Sequence, residues 1–179
     1  MDRRGFLAGS AAAAPWLLAG RTGSGMDERT SGGEAGTITL FLAGDVMLGR
    51  GIDQVMPHPS DPRLHEPAVG DARTYVRLAE RKNGRIPRRV DPGYVWGDAL
   101  DALAMTGPYA RIINLETSIT RSDDAWPKGI NYRMNPANVP VLEAAGIDVC
   151  VLANNHVLDW GRTGLLETLG TLARAGIET

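Results

Sequence analysis

Two asparagines, a histidine and, three residues later, an aspartate follow a short apolar run in the stretch VLANNHVLDWG, residues 151–161. Carboxamides, an imidazole and a carboxylate packed at the mouth of such a run are groups that bind metal ions, move protons or hold a polar substrate. Two other apolar stretches end the same way. TITLFLA runs into GDVMLGRG, which brings Asp45 and Arg50, and ARIINLE brings Asn114 and Glu116. Together with Asn154, Asn155 and His156 they offer two carboxylates, carboxamide oxygens and an imidazole, a donor set suited to one or more divalent metal ions of open identity. The planar fork of Arg50 suits a carboxylate or phosphate, or a bridge to Glu116. Singly, each residue also has a structural reading. Asp45 after Gly44 is a turn or cap residue, Asn154 and Asn155 are turn formers, Glu116 is an ion-pair partner, and Asp159 caps a helix beginning near Gly161. Their arrival at three successive strand ends is what favours a site.

The elements that must position them are legible in the pattern. Residues 37–43 are apolar on both alternating faces and read as a strand buried on both sides. Residues 110–116 and 147–153 read as two further strands. Helices are expected within DARTYVRLAERKNG, ended by Asn83-Gly84, and over 97–105, closed by Gly107-Pro108. A third starts near Ala137, with Asn135 as cap, Pro136 at the first helical position and Gly146 as the stop. A fourth begins at Gly161, carries the stripe Leu165, Leu169 and Leu172, and ends at Gly176. Strand and helix in alternation make an α/β domain with a largely parallel sheet, in which ligands gather beyond the carboxyl ends of the strands. Residues 51–94 carry six prolines and read as a long surface excursion. Its cluster Arg77, Arg81, Lys82, Arg85, Arg88 and Arg89 is a solvated face or a device for attracting anions. His58 and His65 are expected at the surface, and Trp96 and Trp126 in core or lid packing.

The chain has 179 residues, 43% hydrophobic and 22% charged, with a formal net charge of -2. That describes one globular domain and argues against nucleic acid as a partner. The single cysteine, Cys150, lies within an apolar run and reads as a buried side chain. Residues 1–20 place Arg3 and Arg4 ahead of a short alanine-rich apolar run, the layout of a twin-arginine export signal. Residues 21–36, rich in Gly, Ser and Thr, follow as a flexible linker to a domain over 37–179. An extracytoplasmic location, in the periplasm or cell envelope, is the expectation. The pattern also calls for another strand where the chain stops at Thr179, so an incomplete chain is expected.

Four motifs in register, GDVMLGR (44–50), NLETSIT (114–120), YRMNP (132–136) and LANNHVLDWG (152–161), resemble the CapA family of capsule synthesis proteins. The resemblance implies poly-gamma-glutamate capsule biosynthesis and a metallophosphoesterase-like α/β/β/α sandwich, of which this chain would be the amino-terminal part. It further implies metal ligands at Asp45, Glu116 and Asn155 and an acid or base role for His156; Asp45 is placed with His156 in the catalytic set, and Arg50, Asn114 and Asn154, read from their own chemistry at the strand ends, are the expected substrate contacts. Met47 stands where phosphoesterases carry a histidine, and NLE replaces their usual Gly-Asp, which weakens a plain phosphoesterase reading. Two functions follow. One is a metal-dependent hydrolase or transferase acting on a polyanionic peptide or capsule polymer. The other is a non-catalytic accessory protein that binds that polymer, alongside other capsule synthesis proteins at the membrane.

Overall fold

The computed structural model describes residues 36–179; the expected export signal and nearly all of the expected linker lie outside the described residues. Strands β1 (Leu40–Val46), β2 (Ala110–Leu115) and β5 (Val149–Val151) form a parallel sheet in the order β1-β2-β5. Parallel neighbours need crossover connections, and helices supply them. These are α1 (Arg50–Asp53), α2 (Arg73–Asn83) and α3 (Ala99–Thr106) between β1 and β2, and α4 (Pro140–Ala144) between β2 and β5. Helix α5 (Gly161–Arg174) follows β5, and Glu178 then bridges in parallel to Val149.

The helix boundaries follow local chemistry. Gly84 at φ 84° ends α2 and Gly107 at φ 50° ends α3, both in the left-handed half of backbone space that glycine enters without steric cost. Asn135 accepts from the Ala137 amide through its side chain, as a cap should. The helix expected from Ala137 is split, however, into a 3-10 turn over Pro136–Asn138 and the short α4, because Pro140 has no amide hydrogen to continue the ladder. A second parallel pair, β3 (Ser118–Ile119) with β4 (Arg133–Met134), is only two residues long on each side and leaves no periodic trace in the sequence. Helix α5 docks on it: the Ile119 amide donates to Thr168 Oγ1 at 2.9 Å, and Glu167 Oε2 accepts from Thr120 Oγ1 at 2.6 Å.

One face of the sheet is covered. Ile113, Leu115 and Cys150 join Leu103, Leu142 and Leu172 from the helices in a single core cluster. Each fully buried aliphatic side chain of this kind contributes about 1.5–3 kcal/mol. The other face is not covered by the described residues: Leu40 is 48% exposed, Leu42 68% and Val151 42%. The strand over β1 is therefore open on one side, not buried on both as its composition suggests. A sequence apolar on both faces reports the capacity for burial, while the layers present decide whether burial happens.

Cys150 has no exposed surface, and burial pushes its thiol up to about 12. A neutral buried thiol is a poor nucleophile. Iodoacetamide in mildly alkaline buffer should therefore leave the native protein unlabelled and modify it fully once urea unfolds it; labelling of the native state at the rate of free cysteine would contradict this packing. Among the described residues no helix is long and apolar enough to cross a membrane.

Candidate functional site

The sheet brings most of the expected polar residues to its carboxyl edge and joins them side by side. Asp45 pairs with Asn114 in the register of β1 and β2 after a bulge between Ala43 and Asp45. Asn114 Nδ2 donates to Asp45 Oδ1 at 2.6 Å, and Asn154 Nδ2 donates to Asn114 Oδ1 at 3.0 Å. The His156 amide then donates to Asn154 Oδ1 at 2.9 Å. The result is a ladder of three hydrogen bonds running across the strand ends, from β1 through β2 to the loop after β5.

His156 sits at the end of this ladder, buried, with both ring nitrogens facing carboxylates. Its Nδ1 lies 2.7 Å from Asp159 Oδ2, and its Nε2 lies 3.6 Å from Glu116 Oε1. The Tyr132 ring stacks on the imidazole, with centroids 4.1 Å apart and 19° between planes. A carboxylate held at Nδ1 sets the ring's orientation and favours the tautomer whose Nε2 can accept a proton. Asp159 is itself fully buried: Oδ2 also accepts from the Tyr132 amide at 2.6 Å, and Oδ1 is ion-paired 2.5 Å from Lys128 Nζ. That contact is electrostatic and not aligned as a hydrogen bond, since Oδ1 has no hydrogen-bond partner. Lys128 Nζ donates instead to the carbonyl of Asn155 at 2.7 Å.

The expected metal centre does not form. Among the described residues there is no group of three or more histidine, cysteine, aspartate or glutamate side chains placed to hold an ion. The expectation of a divalent metal ion, with Asp45, Glu116 and Asn155 as its ligands, is corrected at the level of the ion, and the ladder shows how the polar groups at this edge are engaged instead. The carboxamide oxygens of Asn114 and Asn154 already accept hydrogen bonds, as does one oxygen of Asp45. Glu116 faces the imidazole, its Oε1 3.6 Å from His156 Nε2. Asn155 is exposed, and it contributes its backbone carbonyl to Lys128 while its side chain stays outside the network. The residue types are those of a metal site; the geometry spends them on one another. The sulfur of Met47 meets the Gly49 amide at 3.2 Å.

Arg50 lies off the ladder but joined to it. Its guanidinium is held between the rings of Tyr75 and Tyr132, 4.9 and 4.7 Å from their centroids, and its Nε contacts Glu66 Oε1 at 2.6 Å. The bridge to Glu116 considered from sequence is not made; Glu66 takes that place. The Tyr75 hydroxyl donates to Glu66 Oε2 at 2.5 Å, which holds its phenol above the usual value. Tyr132 is also raised, chiefly by burial. His58 and His65 are exposed as expected. Trp96 is partly buried and donates to the Val141 carbonyl, whereas Trp126 is 57% exposed beside Lys128. Asp159 acts as the anchor of His156, and no capping hydrogen bond from it to α5 is made. Lys128, Tyr132 and Glu66 escaped sequence reasoning; only Tyr132 lay within a quoted motif.

Comparison with known proteins adds an independent line. Residues 39–179 match the family model described as bacterial capsule synthesis protein PGA_cap. Two relatives from Mycobacterium tuberculosis, of strains CDC 1551 / Oshkosh and ATCC 25618 / H37Rv, bear the name "Probable polyglutamine synthesis accessory protein". Each is 52% identical over 148 residues, covering 82% of this chain. The chain spans 39% of the length of each relative.

Proposed function

Since the chain belongs to the CapA family of bacterial capsule synthesis proteins, matched by the PGA_cap model over residues 39–179, we propose that it is an exported accessory protein that binds an anionic capsule polymer without turning it over. The observation that carries this reading is charge placement. Between Arg73 and Arg89 the chain has seven cationic residues and one acidic residue, Glu80, although its overall charge is -2. Arg73 pairs with Asp71 and Arg88 with Glu80, which leaves Arg77, Arg81, Lys82, Arg85 and Arg89 exposed with no carboxylate partner among the described residues. A one-signed patch of this kind concentrates polyanions near the surface and steers them. The relatives' name refers to polyglutamine, an uncharged polyamide. The cations of this chain favour the carboxylate polymer, poly-gamma-glutamate.

The test is retention of poly-gamma-glutamate by the wild type and by a variant with Arg81, Lys82, Arg85 and Arg89 changed to glutamine. At about 0.2–1 kcal/mol for each exposed contact, four losses should weaken binding by about fourfold to several hundredfold, and added salt should erase the difference. Equal retention by both, or equal binding of an uncharged polyglutamine peptide, would sink the proposal. A second reading rests on the orientation of His156 by Asp159 opposite Glu116, an arrangement fit for metal-free proton transfer. Shortening of the polymer in the same assay, lost in His156→Ala, would favour it.

Two further parts of the proposal concern context. Export through a twin-arginine route is supported by the residues around Arg3 and Arg4. A sandwich in which a second sheet packs on the first is supported by the exposed apolar face of Leu40, Leu42 and Val151.

A further inference from the structure

A cavity of about 370 Å³ opens between the loop after β1, α1, α2 and the segment around Tyr94. It lies within the size range of small-molecule sites. Its walls are apolar: Ile52, Val55, Val76, Ala79, Ile86 and Val95, with the rings of Tyr75 and Tyr94. Arg50 is the only charged residue that lines it. The strand-end ladder does not contribute to it, and the polymer reading leaves it unused.

Three features of Arg50 go beyond what packing requires. Its guanidinium is clamped between the Tyr75 and Tyr132 rings and tied at Nε by Glu66, so its plane and direction are set. Its Nη1 and Nη2 have no protein partner among the described residues. Its backbone is also one of two non-glycine residues there at positive φ, 48°. Such strain persists where surrounding contacts over-determine a side chain, commonly at ligand sites. A pre-oriented two-nitrogen fork beside an apolar cavity matches a carboxylate carried on an apolar body. Glu66 is bound at Nε only and leaves the two Nη nitrogens of the fork to a ligand.

We propose that this cavity is a binding site for a small apolar monocarboxylate, its tail among Ile52, Val55, Val76 and Ile86 and its head on Arg50. The site is separate from the polymer-binding cations, so either reading can fail alone.

The experiment uses the whole chain and isothermal titration with octanoate, octanamide and octylamine, three ligands of equal length and different head-group charge. Octanoate should bind about tenfold more tightly than octanamide, the scale of a charge-assisted hydrogen bond, and octylamine more weakly still. Ala79→Phe, which fills the cavity while leaving Arg50 in place, should abolish octanoate binding without altering poly-gamma-glutamate retention. Arg50→Gln should reduce octanoate binding to the level of octanamide. No octanoate binding by the wild type, equal binding of all three ligands, or undiminished octanoate binding by a folded Ala79→Phe variant would each overturn the proposal. If Arg50→Gln fails to fold, the ligand series and the Ala79 variant still decide it.

Discussion

Asp159→Ala should lower the unfolding free energy by about 3–5 kcal/mol, the cost of removing one partner from a buried charged network. The Asp159 carboxylate has no exposed surface and serves three groups: the Tyr132 amide at 2.6 Å, His156 Nδ1 at 2.7 Å and Lys128 Nζ at 2.5 Å. Removing it leaves the partly buried Tyr132 amide unpaired and the buried imidazole without its anchor. The lysine suffers least, since its side chain is 27% exposed and can turn toward water. Lys128→Met should cost less, about 2 kcal/mol: Oδ2 keeps its two partners, but the buried Oδ1 loses its only cation. Urea titrations of the three proteins, followed by tryptophan fluorescence, measure both shifts. The ring stack of Tyr132 on His156 should loosen in Asp159→Ala, and with it the clamp on Arg50. An Asp159→Ala midpoint indistinguishable from wild type would show that the network does not hold the loop between Trp126 and Tyr132 against His156.

Asp53→Ala is expected to cost about 3 kcal/mol, for a different reason. This carboxylate fastens the end of α1 to the segment after β4. Ser60 and Asn135 donate their amides to it at 2.6 and 2.9 Å, and Asn138 Nδ2 donates at 3.0 Å. Three donors would lose their acceptor at once, and Asn138, which also joins the His58 amide and carbonyl, would lose a contact at the centre of the same knot. The pH dependence has a definite sign. Burial outweighs these hydrogen bonds and raises the folded-state value above 3.8, so the folded chain holds this proton more tightly than the unfolded chain. The stability contribution tied to that proton is complete below 3.8 and falls as pH rises through the higher folded value. The gap between wild type and Asp53→Ala should therefore narrow as pH is raised from below 3.8 towards neutrality. A gap that widened over that interval would mean that the three donors, not burial, govern this group.

Much of the scaffold could be read before any coordinates. Gly84, Gly107 and Gly176 end helices where glycine was expected to end them, and Asn135 caps as its type predicts. These are local decisions, made within one turn of backbone. The convergence of Asp45, Asn114, Asn154 and His156 was also legible, because strand ends in a parallel sheet must share an edge. Lys128 and Glu66 were not. No periodicity relates Lys128 to Asp159 or Glu66 to Arg50, and exposed loops carry no pattern that names a distant partner. The pair of two-residue strands was invisible for the same reason, being held by α5 and not by strand chemistry of its own.

What the sequence determined by itself was the family, the parallel α/β order and the kinds of polar group at the strand ends. Those depend on residue type and spacing along the chain, which are complete in one dimension. What tertiary structure decided was how the polar groups are used. Carboxamide oxygens that sequence offers to a metal are taken by neighbouring amides once β1, β2 and the loop after β5 lie side by side. An apolar strand that sequence reads as buried keeps Leu40 and Leu42 open. Hydrogen-bond donors and covering layers are supplied by other parts of the chain, so both outcomes are properties of the packed molecule.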